Sequence, residues 1–424
     1  VIDAVSWRVL AEDISTVFGQ IANGQKVVLP AKTASFKEWS EILKDYQGSE
    51  ILQDEIPYWN DVTDKEWPIS YEKDAPVGKT RKVEYIHKNL GTTATELLLK
   101  EANKPYYTEP KDLLLAALVL ALGKVSNCNH VVIGLEGHGR EELHKKIQID
   151  RTVGWFTSLY PMVFDYSGQM EDVIISVKDD LRNVPNHGLG YGLLVEKLGR
   201  KEIPIVFNYL GELDAEQYEN GGIVDRSAGM NVAAENVFFG LAMDASITEK
   251  DLVVELAYDV SEYQENTARE IVSCFMECLQ EIVSFCAAKD KARRTSSDFT
   301  GKKVLRSDLQ EIYKHYEDHE IQDIYPLVPL QEGMFFHNLV DRTSTNYIIQ
   351  TVFCLKQEID VEKMKCALQL MTKRYDVLRT VFLHKEISCP LQVVLNNRES
   401  EYQVIDLTDA QSNEKEAVLE KLKK

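Results

Sequence analysis

Apolar residues recur at helical spacing from the first turn of the chain onward. Val5, Val9, Leu10, Ile14, Val17, Phe18 and Ile21 form a stripe that ends near Asn23-Gly24, which predicts a helix. A second helix follows Pro30, with Ser35 as N-cap and Phe36, Trp39, Ile42, Leu43 and Tyr46 on one face. A third, Ile51 to Trp59, leads into a polar connector with Pro68, Pro76 and Gly78. From Thr80 the pattern mixes. Arg81 to His87 reads as a strand and Thr92 to Ala102 as a helix. Pro110 to Gly123 is a helix with Pro at its start and Gly at its stop. Val131 to Leu135 is a buried strand, and Ile205 to Leu210 another. Val237–Ala245 and Leu252–Val260 predict a hairpin turning around Thr248-Glu249-Lys250. A long helix, Gln264 to Ala288, carries Ile271, Phe275, Cys278, Leu279, Ile282 and Phe285 inward. Residues 289–304 are charged, small and non-periodic, the pattern of a linker. Beyond them come a helix from Ser307, an extended Ile324 to Pro329, a helix from Leu330, a strand Tyr347 to Leu355, a helix Val361 to Tyr375 and a strand Val377 to Phe382. The amphipathic helix Ser412 to Lys424 stops mid-pattern.

The 424 residues suffice for two or three domains, and 44% hydrophobic with 27% charged residues is an ordinary soluble composition. A net charge of −20 repels phosphate backbones and anionic lipid, which argues against nucleic acid and membrane as partners. The longest apolar run, Leu113 to Leu122, is too short to span a bilayer. Neither an initiator Met nor a signal peptide opens the sequence. Seven cysteines without CxxC pairs predict reduced thiols, a cytoplasmic location and no metal site.

One cluster carries candidate chemistry. Glu136-Gly137-His138-Gly139-Arg140-Glu141 follows the buried strand directly. A strand end is a rigid mount for an acid or base, and glycines let backbone approach a ligand. Glu136 is there either as a partly desolvated acid–base group or as part of a polar turn, paired with Arg140. The second glycine-rich stretch, His187 to Gly192, lacks the Lys-Ser/Thr of a phosphate loop.

Several segments, in order, resemble the epimerization domain of nonribosomal peptide synthetases. Glu136 to Glu141 matches its EGHGRE motif, Asp150 to Pro161 its TVGWFTxxYP signature, Gly188 to Gly192 its GxGYG, and Phe207 to Gly211 its FNYLG. Leu29 to Trp39 is similar to LPxKTxSFKxW, and Asp3 to Arg8 to the tail of HHxxxDGxSWR, with Ala4 in place of Gly. Trp155 stands where condensation domains usually read VGLFxN. Ile324 to His337 is similar to the IYPLxPxQEGMxFH opening of a condensation domain, of the subtype that accepts a D-configured donor. Lys373 to Phe382 resembles RHxxLRTxF, with Tyr375-Asp376 in place of His-Glu.

The resemblance implies an α/β fold of chloramphenicol-acetyltransferase-like lobes, mixed sheets with flanking helices, incomplete at both ends. It implies residues 1–288 as the C-terminal part of an epimerization domain (1–75 the end of its N-lobe, 76–288 its C-lobe), 289–320 as linker and lead-in helix, and 321–424 as the N-terminal part of a condensation domain. No cofactor is bound directly. The substrate is a phosphopantetheine-tethered aminoacyl or peptidyl thioester delivered by a carrier domain. Partners are the upstream carrier and adenylation domains and the downstream remainder of the condensation domain. Glu136 is implied as acid/base, opposite a motif histidine two residues ahead of Val1, so the chain by itself is expected to be inactive. Asn208 and Tyr209 orient the thioester or enolate, or Tyr209 is a strand aromatic packing the channel wall. His138 and Arg140 fix the turn and the Glu136 carboxylate. Asp3 is expected to bond an Arg in the absent N-terminal half of its domain, and Arg379 an Asp past the C-terminus. Trp155, Gly188, Gly190 and Tyr191 are expected to line the substrate channel, and Trp7 to be core. Two other classes stay open: a non-catalytic interaction scaffold, and a condensation-type acyltransferase.

Overall fold

The computed structural model describes residues 2–67, 82–143, 147–166, 169–199, 201–212, 239–301, 304–341, 347, 349–353, 355–356 and 359–422. The chain divides into two compact units, Val1–Ala292 and Arg293–Lys424.

The first unit opens with helices α1 (Ala4–Ala22), α2 (Phe36–Gln47) and α3 (Glu50–Asp64). Asp3 caps α1 by accepting from the Ser6 amide. Ser35 and Glu38 close a reciprocal capping box on α2, with the Glu38 carboxylate 2.7 Å from the Ser35 amide. The apolar stripe predicted on α1 exists, but its members Ile14, Phe18 and Ile21 are exposed, and so is Trp7 at 62%. The expectation of a core Trp7 is therefore corrected: the face of α1 that packs is the one with Ser6 and Val9.

A six-stranded mixed sheet follows, built from β1 (Val83–Asn89), β2 (His130–Gly137), β3 (Ser158–Asp165), β4 (Ile205–Glu212), β5 (Leu241–Thr248) and β6 (Asp251–Asp259). Its order is β1-β6-β5-β4-β2-β3. The pairs β2–β4 and β4–β5 are parallel and the others antiparallel. The helices of this part are α4 (Thr92–Lys100), α5 (Pro110–Ser126), α6 (Met170–Asn183), α7 (Leu189–Leu198) and α8 (Glu265–Ala287). One sheet face supplies Ile133, Leu135, Phe207, Met243, Val254 and Leu256 to a core shared with α5 and α8. α5 is apolar on every side, and Leu113 to Leu122 are all buried, which makes this run the centre of the core. Its predicted stop at Gly123 is corrected: the helix runs on to a left-handed Asn127, and Gly123 lies under the Tyr166 ring, where a Cβ would come within 2.3 Å. Part of the predicted strand from Val237 falls outside the described residues; its described part is β5 from Leu241.

The second unit holds a three-stranded antiparallel sheet, β7 (Ile321–Pro326), β8 (Thr380–Leu383) and β9 (Leu391–Leu395), in the order β7-β9-β8. Helices α9 (Arg306–His315), α10 (Pro329–Val340), α11 (Val361–Arg374) and α12 (Ser412–Leu422) accompany it. Within the stretch read as a linker, residues from Arg294 on are packed: Arg294 binds Asp318 at 3.2 Å, and Phe299 joins the core with Ile312, Ile324 and Val393. The strand expected at Tyr347 to Leu355 is not formed by the described residues there; Ile349, Val352 and Phe353 are exposed, with no sheet neighbour. No helix among the described residues is long and apolar enough to cross a membrane.

Candidate functional site

Strand β2 ends at Gly137, and the chain turns at once through His138, Gly139 and Arg140. The turn is set by close approach. Gly139 has φ +64°, and a Cβ there would lie 1.7 Å from the Phe156 carbonyl oxygen. Gly139→Ala should cost at least about 2 kcal/mol, read as a lowered midpoint in thermal melts. An unchanged midpoint would show that the turn has room to relax. His138 Nδ1 accepts the Arg140 amide at 3.0 Å, a bond within the turn, while its Nε2 faces Glu141 at 3.6 Å rather than Glu136. Glu141 also meets His187 at 2.8 Å.

Arg140 does not pair with Glu136. Its guanidinium reaches Asp3 at 2.9 and 3.0 Å, Ser6 Oγ at 3.1 Å and the Ile149 and Thr152 carbonyls at 2.8 Å, and it stacks on the Phe156 ring at 3.8 Å. Asp3 thus finds its arginine inside this chain, which corrects the expectation of a partner elsewhere. The planar five-donor fork of Arg140 satisfies Asp3 and two loop carbonyls together. Burial works to raise the Asp3 carboxyl, but hydrogen bonds from Ser6, Phe156 and Arg140 hold it below its ordinary range.

Glu136 is left half-buried at the strand end, and among the described residues nothing hydrogen-bonds its carboxylate. Desolvation pushes its proton affinity up; the Lys111 ammonium opposes this without cancelling it. Lys111 sits in the first turn of α5, and burial lowers its own proton affinity. A cation there opposes the helix dipole as well as desolvation.

The other face of the sheet extends the site. Gly134 pairs with Val206 and Leu135 with Phe207, so the next position sets Glu136 beside Asn208. Asn208 pairs with Asp244, Asp244 with Glu255 and Glu255 with His87. Alternation along each strand turns these residues away from the core face, into one polar row. His87 and Glu255 meet at 3.1 Å at its exposed end. Burial, then the charges of Glu136 and Glu255, push the Asp244 carboxyl up to about 6. Lys111, Asp244, Glu255 and His87 were not among the sequence-predicted site residues. Asp244 carried a signal, since it interrupts the apolar Leu241 to Ile247 at a position alternate to the core residues. Register, which places it near Glu136, is a tertiary property.

Other expected site residues are redistributed. Asn208 shares the Glu136 face. Tyr209 pairs with Ala245, lies on the opposite face and packs against the core, so it is the wall aromatic rather than a partner of Glu136. Gly188, Gly190 and Tyr191, expected at the channel, are buried against their neighbours among the described residues. A Cβ on Gly188 would strike the Tyr160 ring at 2.0 Å, one on Gly190 would strike the Glu55 carboxylate at 2.1 Å, and Tyr191 packs tilted against Trp59 at 5.3 Å while 5% exposed. Their glycines admit the first turn of α7 against α3, where buried Glu55 accepts from Tyr46, Trp59 and Asn186. Trp155 is 55% exposed. In the second unit Arg379 is buried and bonds Asp376, three residues away, Gln322 and the Leu395 carbonyl.

The condensation-domain family model matches residues 1–305 and 321–424. Bacitracin synthase 3 of Bacillus licheniformis is 33% identical over 439 residues, 100% of this chain and 7% of that protein. Tyrocidine synthase 1 of Brevibacillus parabrevis is 35% identical over 337 residues, 74% of this chain and 31% of that protein. The chain thus spans less than a third of either relative. Among solved structures, the epimerization domain from the third module of tyrocidine synthetase B superposes with a TM-score of 0.61 at 32% identity, covering 69% of this chain and 68% of that one.

Proposed function

The chain belongs to the condensation-domain family of nonribosomal peptide synthetases, and from that premise we propose that residues 1–288 act as the C-terminal part of an epimerization domain and residues 321–424 as the N-terminal part of a condensation domain. Residues 289–320 connect them. The reaction is inversion of the α-carbon of an aminoacyl or peptidyl thioester, presented on the phosphopantetheine arm of a carrier domain. The carrier, an adenylation domain and the rest of the condensation domain are the partners, in the cytoplasm, and the D-configured product passes to the condensation domain.

The observation that carries this reading is the Glu136 carboxylate: half-buried, raised in proton affinity, unbonded among the described residues, and mounted in a stretch that resembles EGHGRE. A free carboxylate with raised basicity suits removal of a carbon-bound proton. The α-C–H bond breaks as an O–H bond forms on Glu136, and the electron pair moves through the α-carbon onto the thioester carbonyl oxygen. Return of a proton to the opposite face, from the histidine of the motif whose tail is Asp3 to Arg8, inverts the centre. Asn208, on the Glu136 face, holds the thioester in this reading. The test is to load the parent synthetase with an L-aminoacyl carrier thioester in deuterated water. Deuterium at the α-carbon and accumulation of the D-thioester are expected. Peptide-bond formation with the L-configuration retained and no deuterium would instead identify an acyltransferase.

A further inference from the structure

Removing the α-proton leaves negative charge on the thioester carbonyl oxygen, and Glu136, occupied as the base, cannot meet it. The stabilisation such a charge needs is a hydrogen-bond donor fixed in a poorly solvated site. We propose that Asp244, as a neutral carboxylic acid, donates a hydrogen bond to that oxygen. The inference rests on the epimerase reading and adds a residue to it.

Three observations support Asp244. It occupies the same polar row as Glu136, two strands away, with Asn208 between them. Strands about 4.8 Å apart set the two backbones roughly 10 Å from each other. A base about 3 Å from an α-carbon, an oxygen about 2.4 Å further on and a donor about 2.8 Å beyond it together span roughly 8 Å. Carboxyl groups two strands apart therefore bracket an α-carbon and its carbonyl oxygen. Second, among the described residues nothing hydrogen-bonds or ion-pairs with the Asp244 side chain. Third, its charged neighbours are both acidic, Glu136 on β2 and Glu255 on β6; His87 on β1 is taken up by Glu255, and Lys111 on α5 acts on Glu136. Burial and these two charges hold the Asp244 proton to about pH 6. The proton stays on Asp244 through the cycle: it is shared with the enolate oxygen while the charge is there and is released when the α-carbon is reprotonated. A carboxylic acid kept neutral by an apolar site is an established way to donate to an enolate.

The test has two arms. Carbon-13 NMR titration of the 424-residue chain, with aspartate carboxyls labelled and Asp244 assigned from D244N, should place Asp244 near 6, moving toward the ordinary range in Glu136→Gln. Titration near 4 in the native chain, the ordinary aspartate value, would overturn the proposal without any assay of activity. In the second arm, α-proton exchange by the parent synthetase is followed against pH. Exchange should fall above about pH 6, Asp244→Ala should lower it about 100-fold, and Asp244→Asn, whose amide still donates but does not titrate, should abolish the fall at high pH. Native exchange left intact by Asp244→Ala, or a high-pH fall that survives in Asp244→Asn, removes Asp244 from the chemistry and leaves Glu136 standing. Native protein that exchanges at no pH overturns the epimerase reading and this role together.

Discussion

Glu136→Gln should stop α-proton exchange on a carrier-bound thioester, by about 10²–10⁴-fold, the usual contribution of a positioned acid–base group. Gln keeps the shape of Glu and removes the proton acceptor. The loss should come without structural damage, because Glu136 makes no hydrogen bond among the described residues and sits at the end of β2. The fold should even gain. Burial raises the Glu136 carboxyl above its unfolded value, so the native state binds more protons than the unfolded one between the two. Native stability therefore falls as pH rises through that window, and the native chain carries an unfavourable buried charge above it. Gln lacks that charge, so the variant should melt at the same temperature or slightly higher at about pH 7 and lose the difference at about pH 4. Mass-spectrometric deuterium incorporation and thermal melts read the two effects separately. Undiminished exchange in the variant would eliminate Glu136 as the base; lost exchange with a lowered melting point would mean that damage to the fold, not chemistry, was measured.

The elements that a reader of the sequence recovers are those whose signal is local. α1, α2 and α8 carry uninterrupted helical periods, α5 is an apolar run opened by Pro110, and Ser35 with Glu38 marks the start of α2 in the sequence itself. The β5–β6 hairpin was legible from alternation, although its turn uses Glu249 and Lys250 at positive φ, where glycine or asparagine is the usual choice. β3 was not legible as a strand: Pro161 interrupts it, and it lies within a stretch otherwise recognised by motif. Gly188 and Gly190 were expected at the substrate channel through their motif, whereas they make room for neighbours contributed by β3 and α3. The same division holds in the site. Glu136 was visible because a carboxylate directly follows an apolar strand. Asp244 and Lys111 were hidden because their relevance depends on the strand register and on α5 running back beside β2. Asp3 and Arg140 were visible singly, and no periodicity links residues 137 apart.

That long-range pair carries the largest expected effect on stability. Arg140→Ala should cost about 3–5 kcal/mol, because it leaves Asp3, 5% exposed, as a buried charge without its cation. It also strands the Ile149 and Thr152 carbonyls and uncovers the Phe156 ring. Arg140→Lys should recover little, since one ammonium cannot reach Asp3, Ser6 and both carbonyls from a single point. Asp3→Ala combined with Arg140→Ala should cost less than the sum of the single changes, because no charge is then left unpaired. The dependence on pH has a definite sign. Folding lowers the Asp3 carboxyl, so its contribution is complete above the unfolded value of about 4 and is lost as pH falls through the lower, folded value. The gap in melting temperature between the native chain and Arg140→Ala should therefore be widest at neutral pH and narrow below about pH 3. Equal gaps at about pH 7 and about pH 2.5 would mean that Arg140 acts through the Ile149 and Thr152 carbonyls and the Phe156 ring, not through Asp3. In that case the double variant would show no relief, and the ion pair joining the start of α1 to the turn after β2 would be a contact without consequence.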